Sequence, residues 1–461
     1  MAPFCDAPPA RTVAHQDGMT PPRKRIRSPL PRAPLEFAYP LSVQRGDVSG
    51  AILLAELPEE YALPLWRTYR LVVSLATSGG AVPVLDAAEL ARWEEHVLGQ
   101  VDAWDADVWS PLTAIATAMR NPAEADRKWI ALACMTLVEW CVNRGAGAAA
   151  VCLAEAAALV VPASARYAYV AGRMHRERGS YRDAEHWLDR SRRVAVWNSD
   201  REAHAIALNS LGNLNQQVGR YPRAKAFLQS ALRTAKRARL KERIPFIYHD
   251  LLVVAVYTGD LARAGEYARE ALHGYPAGHP NVPKLAHDIA WLWFGHGYFR
   301  RALQVLDALL LYFTEPEARL HVLGYAARAA GATQDVAGFD RYWAEAWEIM
   351  EAGVGERLRA DAALELGLGA LDLSRWDDSE RALGVALASA TASGENETVV
   401  KASAAMDRRG RREASDRAVS SAGGKAVRAE DELAGELVAV LVTHAGSGVL
   451  ASGVEHDSNN A

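Results

Sequence analysis

The sequence has few cysteines, little net charge and no long apolar run, and each shortage argues against a class of protein. Only 4 of 461 residues are cysteine, and none forms a Cys-x-x-Cys pair. This count and spacing argue against a disulfide scaffold or a zinc site, and they favour reduced cysteines in a core for Cys134 and Cys141. The net charge of -4 argues against a protein that coats nucleic acid.

Signals for membranes and secretion are also missing. The sequence has no run of about 18 apolar residues, the length that a helix needs to cross a bilayer. The N-terminus lacks the apolar core of a secretory signal. We therefore expect a cytoplasmic protein that contacts neither membrane nor nucleic acid.

Catalytic motifs are equally scarce. There is no Gly-x-Ser-x-Gly, no Gly-Lys-Ser/Thr loop and no His-Glu-x-x-His. The run Glu94-Glu95-His96 is interpreted as a solvated helix face. The sequence thus predicts a protein that is not an enzyme and that has no cofactor or metal.

What the sequence does contain is a short pattern that recurs seven times between Gly145 and Ser379. A glycine or serine is followed two positions later by a bulky residue and five positions later by a small one. The copies are Gly145–Ala150, Gly179–Ala184, Gly219–Ala224, Gly259–Ala264, Gly297–Ala302, Gly331–Val336 (or Ala337) and Ser374–Ser379. Their small residues lie 34, 40, 40, 38, 34 and 43 positions apart. Units of this length hold two helices and a turn, and they bury their apolar faces only by stacking.

Each part of the pattern has a physical role. The glycine can adopt the left-handed conformation that ends the first helix, and the small residue lets two helices cross closely. Upstream, the pairs Leu211-Gly212, Leu323-Gly324 and Leu366-Gly367 place a leucine and a close-contact glycine on the first helix. Downstream leucines such as Leu228 follow at helical spacing on the second helix.

This pattern resembles the tetratricopeptide repeat family, in which a Leu-Gly pair, a Gly-x-Tyr turn and spaced alanines define a two-helix unit. The resemblance covers about residues 130–395 and implies an all-α, right-handed superhelical solenoid of antiparallel helix pairs. The family's usual tryptophan near the start of the first helix is absent, and its closing proline is irregular. In length, the 40-residue copies resemble the superhelical regulatory domains of large bacterial signalling proteins.

The chain is predicted to divide into four segments. Residues 1–34 form a disordered tail, rich in proline, with the basic cluster Arg23–Arg27. Residues 35–128 form an N-terminal helical region, either divergent repeats or a cap, with helices near 58–77, 86–103 and 110–119. Residues 129–400 form the array of about seven units, and 401–461 form a largely disordered C-terminal tail. The basic cluster is either a nuclear-targeting or phosphate-binding patch or a solvated leader.

The C-terminal segment contains one amphipathic stretch. Leu433, Leu437, Val440 and Leu441 recur at helical spacing, which is compatible with a short helix near 428–443. Such a helix could dock on the last face of the array.

A polar column emerges when equivalent positions of successive units are compared. Fifteen residues before the small residue stand Tyr169, Asn209, His249, His287 and His321. Four residues after these come Arg173, Asn213, Val253, Trp291 and Tyr325, one helical turn further along the same face. Asp250 and Asp288 directly follow two of the histidines. In the resembled family the first helices line the concave side, so the resemblance implies that this column faces a groove.

Two interpretations of the column remain open. It could bind an extended segment that runs across several repeats and meets one polar side chain at each step. Its histidines could instead hydrogen-bond between neighbouring helices. A metal site is disfavoured, because equivalent positions of stacked helices lie about 10 Å apart. The arginines Arg166, Arg173 and Arg176 either grip a carboxylate or phosphate, or form a solvated face.

Two functions follow from these observations. The first is a non-catalytic protein–protein interaction module or scaffold that binds a segment of a partner protein or peptide in the concave groove. The second is a regulatory protein that senses a peptide or metabolite and acts on transcription or signalling through a partner.

Overall fold

The computed structural model describes residues 55–77, 87–98, 106–120, 125–353, 356–393, 395–411 and 424–445. The predicted tail 1–34, the basic cluster Arg23–Arg27 and the segments 412–423 and 446–461 lie outside the described residues. The described residues form nineteen α-helices and no strand. The first three helices are α1 (Glu59–Thr77), α2 (Ala87–Leu98) and α3 (Ala106–Arg120), close to the three that the sequence predicts.

Seven helix pairs follow, and they form an all-α solenoid as predicted. They are α4 (Arg127–Asn143) with α5 (Gly147–Val160), α6 (Ala165–Glu177) with α7 (Tyr181–Trp197), α8 (Arg201–Gln217) with α9 (Tyr221–Ala238), α10 (Ile244–Thr258) with α11 (Leu261–Gly274), α12 (Asn281–Gly295) with α13 (Phe299–Leu309), α14 (Pro316–Ala332) with α15 (Val336–Glu351), and α16 (Glu356–Asp372) with α17 (Trp376–Ser393). The last two helices are α18 (Asn396–Gly410) and α19 (Gly424–Ala445).

The turns between paired helices confirm the predicted pattern in six copies. The first five glycines have φ between 69° and 77°, and Ser374 has φ of 58°. The second helix starts two residues later in each case, and the alanines at the predicted crossings are fully buried: Ala184, Ala224, Ala264 and Ala302. These small side chains let the two helices of a unit approach each other.

The predicted register of the sixth copy is wrong. Gly331 lies inside α14, and the left-handed residue is Gln334 with φ of 62°. Because α15 begins two residues later, the buried Phe339 takes the small position, 37 residues after Ala302 and 40 before Ser379. Gly331 has a different role, since a Cβ added there would lie 2.4 Å from the carbonyl oxygen of Gly369 in α16.

The glycines of the Leu-Gly pairs make two kinds of close contact, either within a unit or with the next unit. A Cβ at Gly212 would lie 2.6 Å from Leu228 of its own unit, as the pattern predicts. A Cβ at Gly324 would instead lie 2.9 Å from the Cα of Ala362 in the next unit. Glycines of α14 therefore bring it close to α16, whereas Gly212 serves contact within a pair.

The N-terminal helices share one hydrophobic core with the first units. Leu65 and Tyr69 of α1 belong to the same buried cluster as Cys134 and Leu153. The described cysteines, Cys134, Cys141 and Cys152, are free and buried, which agrees with the prediction for the first two. The division at residues 128 and 129, and the choice between repeats and a cap, stay predictions.

The helix predicted near 428–443 is present as α19, but the predicted docking on the last face is wrong. It lies against α11 and α13, the second helices of two central units, with its buried Leu433, Leu437 and Leu441 facing the array. Arg269 of α11 and Arg301 of α13 form ion pairs with acidic side chains of this helix.

Candidate functional site

The predicted column lies along first helices, with Tyr169 on α6, Asn209 on α8, His249 on α10, His287 on α12 and His321 on α14. The column residues on α6, α8, α10 and α12 occupy equivalent positions of their helices, because the turn follows each of them at the same distance in sequence. The corrected register of the sixth copy puts Gly324 at the equivalent position of α14. His321 is three residues earlier, so it still lies on the same side of that helix.

The first contact between units joins α8 and α10. Asn209 Nδ2 donates to Asp250 Oδ2 at 2.7 Å, and Asn213 also hydrogen-bonds this carboxylate. Burial raises the pKa of Asp250, while His249, the two asparagines and Arg176 act against that rise. The carboxylate of one unit thus receives two amides from the preceding one.

The second contact joins α10 and α12. His249 Nε2 lies 2.9 Å from Asp288 Oδ2, and its Nδ1 lies 3.3 Å from the hydroxyl of Tyr275. Burial alone would raise the pKa of Asp288, but hydrogen bonds from His249 and His287 lower it to about 2. Asp288 is therefore an ionised acceptor shared by two histidines.

The third contact joins α12, α14 and α16. The rings of His287 and His321 lie 5.6 Å apart, closer than the spacing of the helix axes, because the side chains converge. His321 Nδ1 lies 3.5 Å from Asp361 Oδ2, and the Tyr325 hydroxyl donates to the same oxygen at 3.1 Å. Burial and nearby carboxylates raise the pKa of Tyr325. Trp291, 42% exposed, also hydrogen-bonds Tyr325.

Column residues are therefore bonded from one unit to the next. Asn209 bonds Asp250, 41 residues later, and His249 bonds Asp288, 39 residues later. Of the two interpretations of the column, bonding between neighbouring helices is directly visible at these positions. This bonding leaves the amide oxygen of Asn209 without a hydrogen-bond partner in the protein, whereas both ring nitrogens of His249 are in contact.

Six of the eleven predicted site residues converge on a single pocket of about 270 Å³. We call it the groove pocket, and it is formed by α6, α8, α10 and the connection from α11 to α12. The six are Tyr169, Arg173, Asn209, Asn213, His249 and Asp250. The other five, His287, Asp288, Trp291, His321 and Tyr325, do not line it, and most belong to the cluster around Asp288 and Asp361.

Several polar atoms at the wall of the groove pocket are buried without a hydrogen-bond partner in the protein. They are the Oδ1 atoms of Asn209, Asn213 and Asn281 and the Nε of Arg176. The amide nitrogen of Asn209 donates to Asp250 Oδ2, so the amide oxygen is turned away from this carboxylate. Its oxygen is therefore an unused acceptor.

The predicted arginine set is split by the structure. Arg173 and Arg176 line the groove pocket, whereas Arg166 is exposed and does not. Arg173 lies 3.6 Å from Glu177 and is mostly buried, with 13% of its side chain exposed. The solvated-face interpretation therefore holds for Arg166 and fails for Arg173.

Sequence reasoning missed several residues of the site. Ile206 and Phe246 lie three residues before column positions, so a column read one helical turn earlier would have found them. Tyr275 and Asn281 come from or directly follow a connection between units, where no helical period applies. Asp361 likewise lies three residues before Leu364, the column position of its own unit, so the same earlier column would have found it.

The described part of the chain has neither a metal-binding group nor a membrane-spanning helix. No group of three or more His, Cys, Asp or Glu residues there is arranged to hold a metal ion. No helix there is both long and apolar enough to cross a membrane.

The fold and its polar column define a helical repeat solenoid with a pocket on its first helices. The profile of the tetratricopeptide repeat family matches residues 163–237, the region of α6 to α9. This match agrees with the resemblance that the sequence predicts. No curated protein matches the sequence.

Solved structures with a similar course of the chain have low sequence identity. PilF of Pseudomonas aeruginosa is 19% identical, with 49% of this chain and 99% of that chain covered and a TM-score of 0.38. The Rap conjugation gene regulator of the plasmid pLS20, in complex with the Phr* peptide, is 14% identical, with 75% and 96% covered and a TM-score of 0.39. A Rap protein complexed with competence and sporulation factor is 10% identical, with 75% and 100% covered and a TM-score of 0.39.

Proposed function

We propose that this protein is a non-catalytic interaction module that binds an extended segment of a partner protein, or a peptide, in the groove pocket. The supporting observation is the set of unpaired amide oxygens of Asn209, Asn213 and Asn281. A buried acceptor without a partner costs about 1–3 kcal/mol, so a ligand that donates N–H groups recovers this free energy. An extended main chain offers one such donor at almost every residue.

The charges around the groove pocket call for a ligand that also accepts hydrogen bonds. Arg176 has a buried Nε without a partner, and Arg243 lies 3.5 Å from the exposed Glu202. Guanidinium groups donate to carbonyl and carboxylate oxygens. A peptide segment combines both requirements, because its N–H groups suit the asparagines and its carbonyl or acidic groups suit the arginines.

The size of the pocket favours a segment of a larger molecule. About 270 Å³ lies just below the range of about 300–1,000 Å³ for enclosed small-molecule sites. The pocket therefore suits one or two residues of a chain that continues along the first helices. A regulator that senses a metabolite would use the same pocket, and the class of ligand distinguishes the two functions.

The test is a selection of random peptides from a displayed library on the full chain. We expect the selected peptides to share a motif and to bind the wild-type chain saturably. The double variant Asn213→Ala, Asn281→Ala should weaken their binding at least about tenfold, because a tenfold change corresponds to about 1.4 kcal/mol. Thermal unfolding of the variant serves to show that the array remains folded.

The matched control is Asn143→Ala, which removes an exposed asparagine at the end of α4. This variant should bind the selected peptides as the wild type does. Failure to select any peptide, or equal binding by the double variant, would contradict the proposal. A small molecule that binds where no peptide does would support the metabolite-sensing alternative.

A further inference from the structure

A cleft on the side of the second helices holds the C-terminal helix. Three leucines of α19, at positions 433, 437 and 441, are at most 1% exposed and enter the space between α11 and α13. Their spacing of four residues puts them on one face of the helix. We call this space the outer cleft, bounded by α11, the end of α12 and α13.

Polar contacts fix the N-terminal half of α19 in the outer cleft. Trp293 is fully buried, and its Nε1 donates to Glu430 Oε2 at 2.7 Å. The Nε of Arg301 donates to Asp431, and Arg269 lies 3.8 Å from the other oxygen of Glu430. Glu430 and Asp431 of α19 therefore face basic residues of the array.

Two further contacts fix the C-terminal half. His273 Nε2 lies 3.1 Å from Glu436 Oε2, and the Tyr312 hydroxyl donates to the carbonyl oxygen of Leu441 at 2.5 Å. Acidic residues on the helix thus meet Arg269, Arg301 and His273 on the rim. Complementary charge of this kind gives a docking site specificity and a fast association rate.

The array is shaped to receive this helix closely. Gly265 of α11 stands opposite α19, and a Cβ added there would lie 2.2 Å from Glu430 Oε1. The hydrogen bonds of the helix with the array also join residues distant in sequence, such as Arg301 and Asp431, 130 positions apart. It is an added element that bridges two second helices, and it is not the partner in any of the seven pairs.

We propose that the outer cleft is a helix-binding site that recognises an acidic amphipathic helix, and that α19 is its exchangeable intramolecular ligand. The recognised pattern is an acidic pair followed by leucines three, seven and eleven residues after the first acid, as in Glu430, Leu433, Leu437 and Leu441. The apolar contact rests on three leucines and Ala434, which is the scale of a helix bound in a groove. This proposal does not depend on binding in the groove pocket.

The first test uses the full chain and a fluorescently labelled peptide of residues 424–445. In the Leu437→Asp chain the α19 helix should leave the outer cleft, because a carboxylate replaces a fully buried leucine. Fluorescence anisotropy should then show saturable binding of the peptide to this variant. The wild type and the Val442→Asp chain should bind at least tenfold more weakly, since Val442 is 53% exposed and its replacement leaves the cleft occupied.

Two controls define the recognition. A peptide that itself carries Leu437→Asp should bind none of the chains. Adding Arg301→Ala to the Leu437→Asp chain should weaken binding of the wild-type peptide at least tenfold. Equal binding to the wild type and the Leu437→Asp chain, or no binding to the latter, would overturn the proposal. Loss of folding in the Leu437→Asp chain would also overturn it, because α19 would then be an integral part of the array.

Hydrogen exchange of the wild-type chain tests the same point without any variant. An exchangeable helix opens locally, so the amides of α19 should exchange at least tenfold faster than those of α8 and α10. Exchange of α19 at the same rate as these central helices would show that it is released only by global unfolding. That result would contradict an exchangeable ligand.

Discussion

Replacing Gly331 by alanine should destabilise the array, although alanine is the better helix former. A Cβ at this position would lie 2.4 Å from the carbonyl oxygen of Gly369 and 2.8 Å from its Cα, and both atoms belong to the backbone of α16. No side-chain rotation relieves this overlap, so α14 and α16 must separate by about 1 Å to reach ordinary contact.

The magnitude follows from two opposing terms. Overpacking of this kind costs about 1–3 kcal/mol, and replacing a helical glycine by alanine returns about 1 kcal/mol. Because the overlapping atoms belong to the backbone, the overpacking cost lies in the upper part of that range, about 2–3 kcal/mol, and Gly331→Ala should lower the free energy of unfolding by about 1–2 kcal/mol. Gly384→Ala is the matched control, because Gly384 lies in α17 with no atom within 4 Å of an added Cβ. It should raise the free energy of unfolding by about 0.5–1 kcal/mol.

Urea unfolding followed by far-UV circular dichroism measures both variants against the wild type. The two midpoints should move in opposite directions. The reasoning is refuted if Gly331→Ala is as stable as Gly384→Ala, since the close approach of α14 and α16 would then be absent.

Three other predictions concern buried charge and buried thiols. Asp288→Asn should cost about 1–2 kcal/mol of stability at neutral pH, because Asp288 is partly exposed and its full linkage energy is screened. A carboxyl pKa lowered to about 2 contributes stability above about pH 4 that is lost as the pH falls towards 2, so the difference between variant and wild type in unfolding experiments should vanish there. Glu155→Ala should lower the free energy of unfolding by about 2–4 kcal/mol. The buried indole N–H of Trp187 donates to the Glu155 carboxylate at 2.8 Å, and the substitution removes this acceptor. Thermal unfolding should show no comparable loss for Glu139→Ala, because Glu139 is exposed. Burial raises the pKa of the Cys134 thiol to about 12, so alkylation followed by mass spectrometry should label it in denaturant and leave it unlabelled in the native chain at mildly alkaline pH.

The repeat architecture was predictable because its determinants are local. A left-handed glycine and a buried alanine five residues later recur in phase, as at Gly219 and Ala224, and each fixes one turn and one helix crossing. The turn of the sixth copy was predicted at the wrong residue, because Gln334 takes the left-handed conformation although it is not a glycine. Gly331 was then mistaken for a turn, although its small size serves packing between units.

The candidate site was predictable only where it follows the helical period. Asn209 and His249 fell on the column because equivalent positions of successive first helices lie side by side. Asn281 begins a helix after an irregular connection, so it carries no periodic signal. The docking of α19 on α11 and α13 depends on contacts 129 to 163 residues apart, which no local pattern encodes.

Photo-crosslinking from inside the groove pocket tests the central claim most directly. A photoreactive phenylalanine analogue at Ile206, which lines the pocket, should yield a discrete adduct with a protein or peptide in a lysate of the source organism. The adduct should be lost with Asn213→Ala and Asn281→Ala and absent when the analogue replaces Val336, which is 52% exposed at the start of α15. No adduct from Ile206, or the same adduct from both positions, would contradict a binding site in the groove pocket.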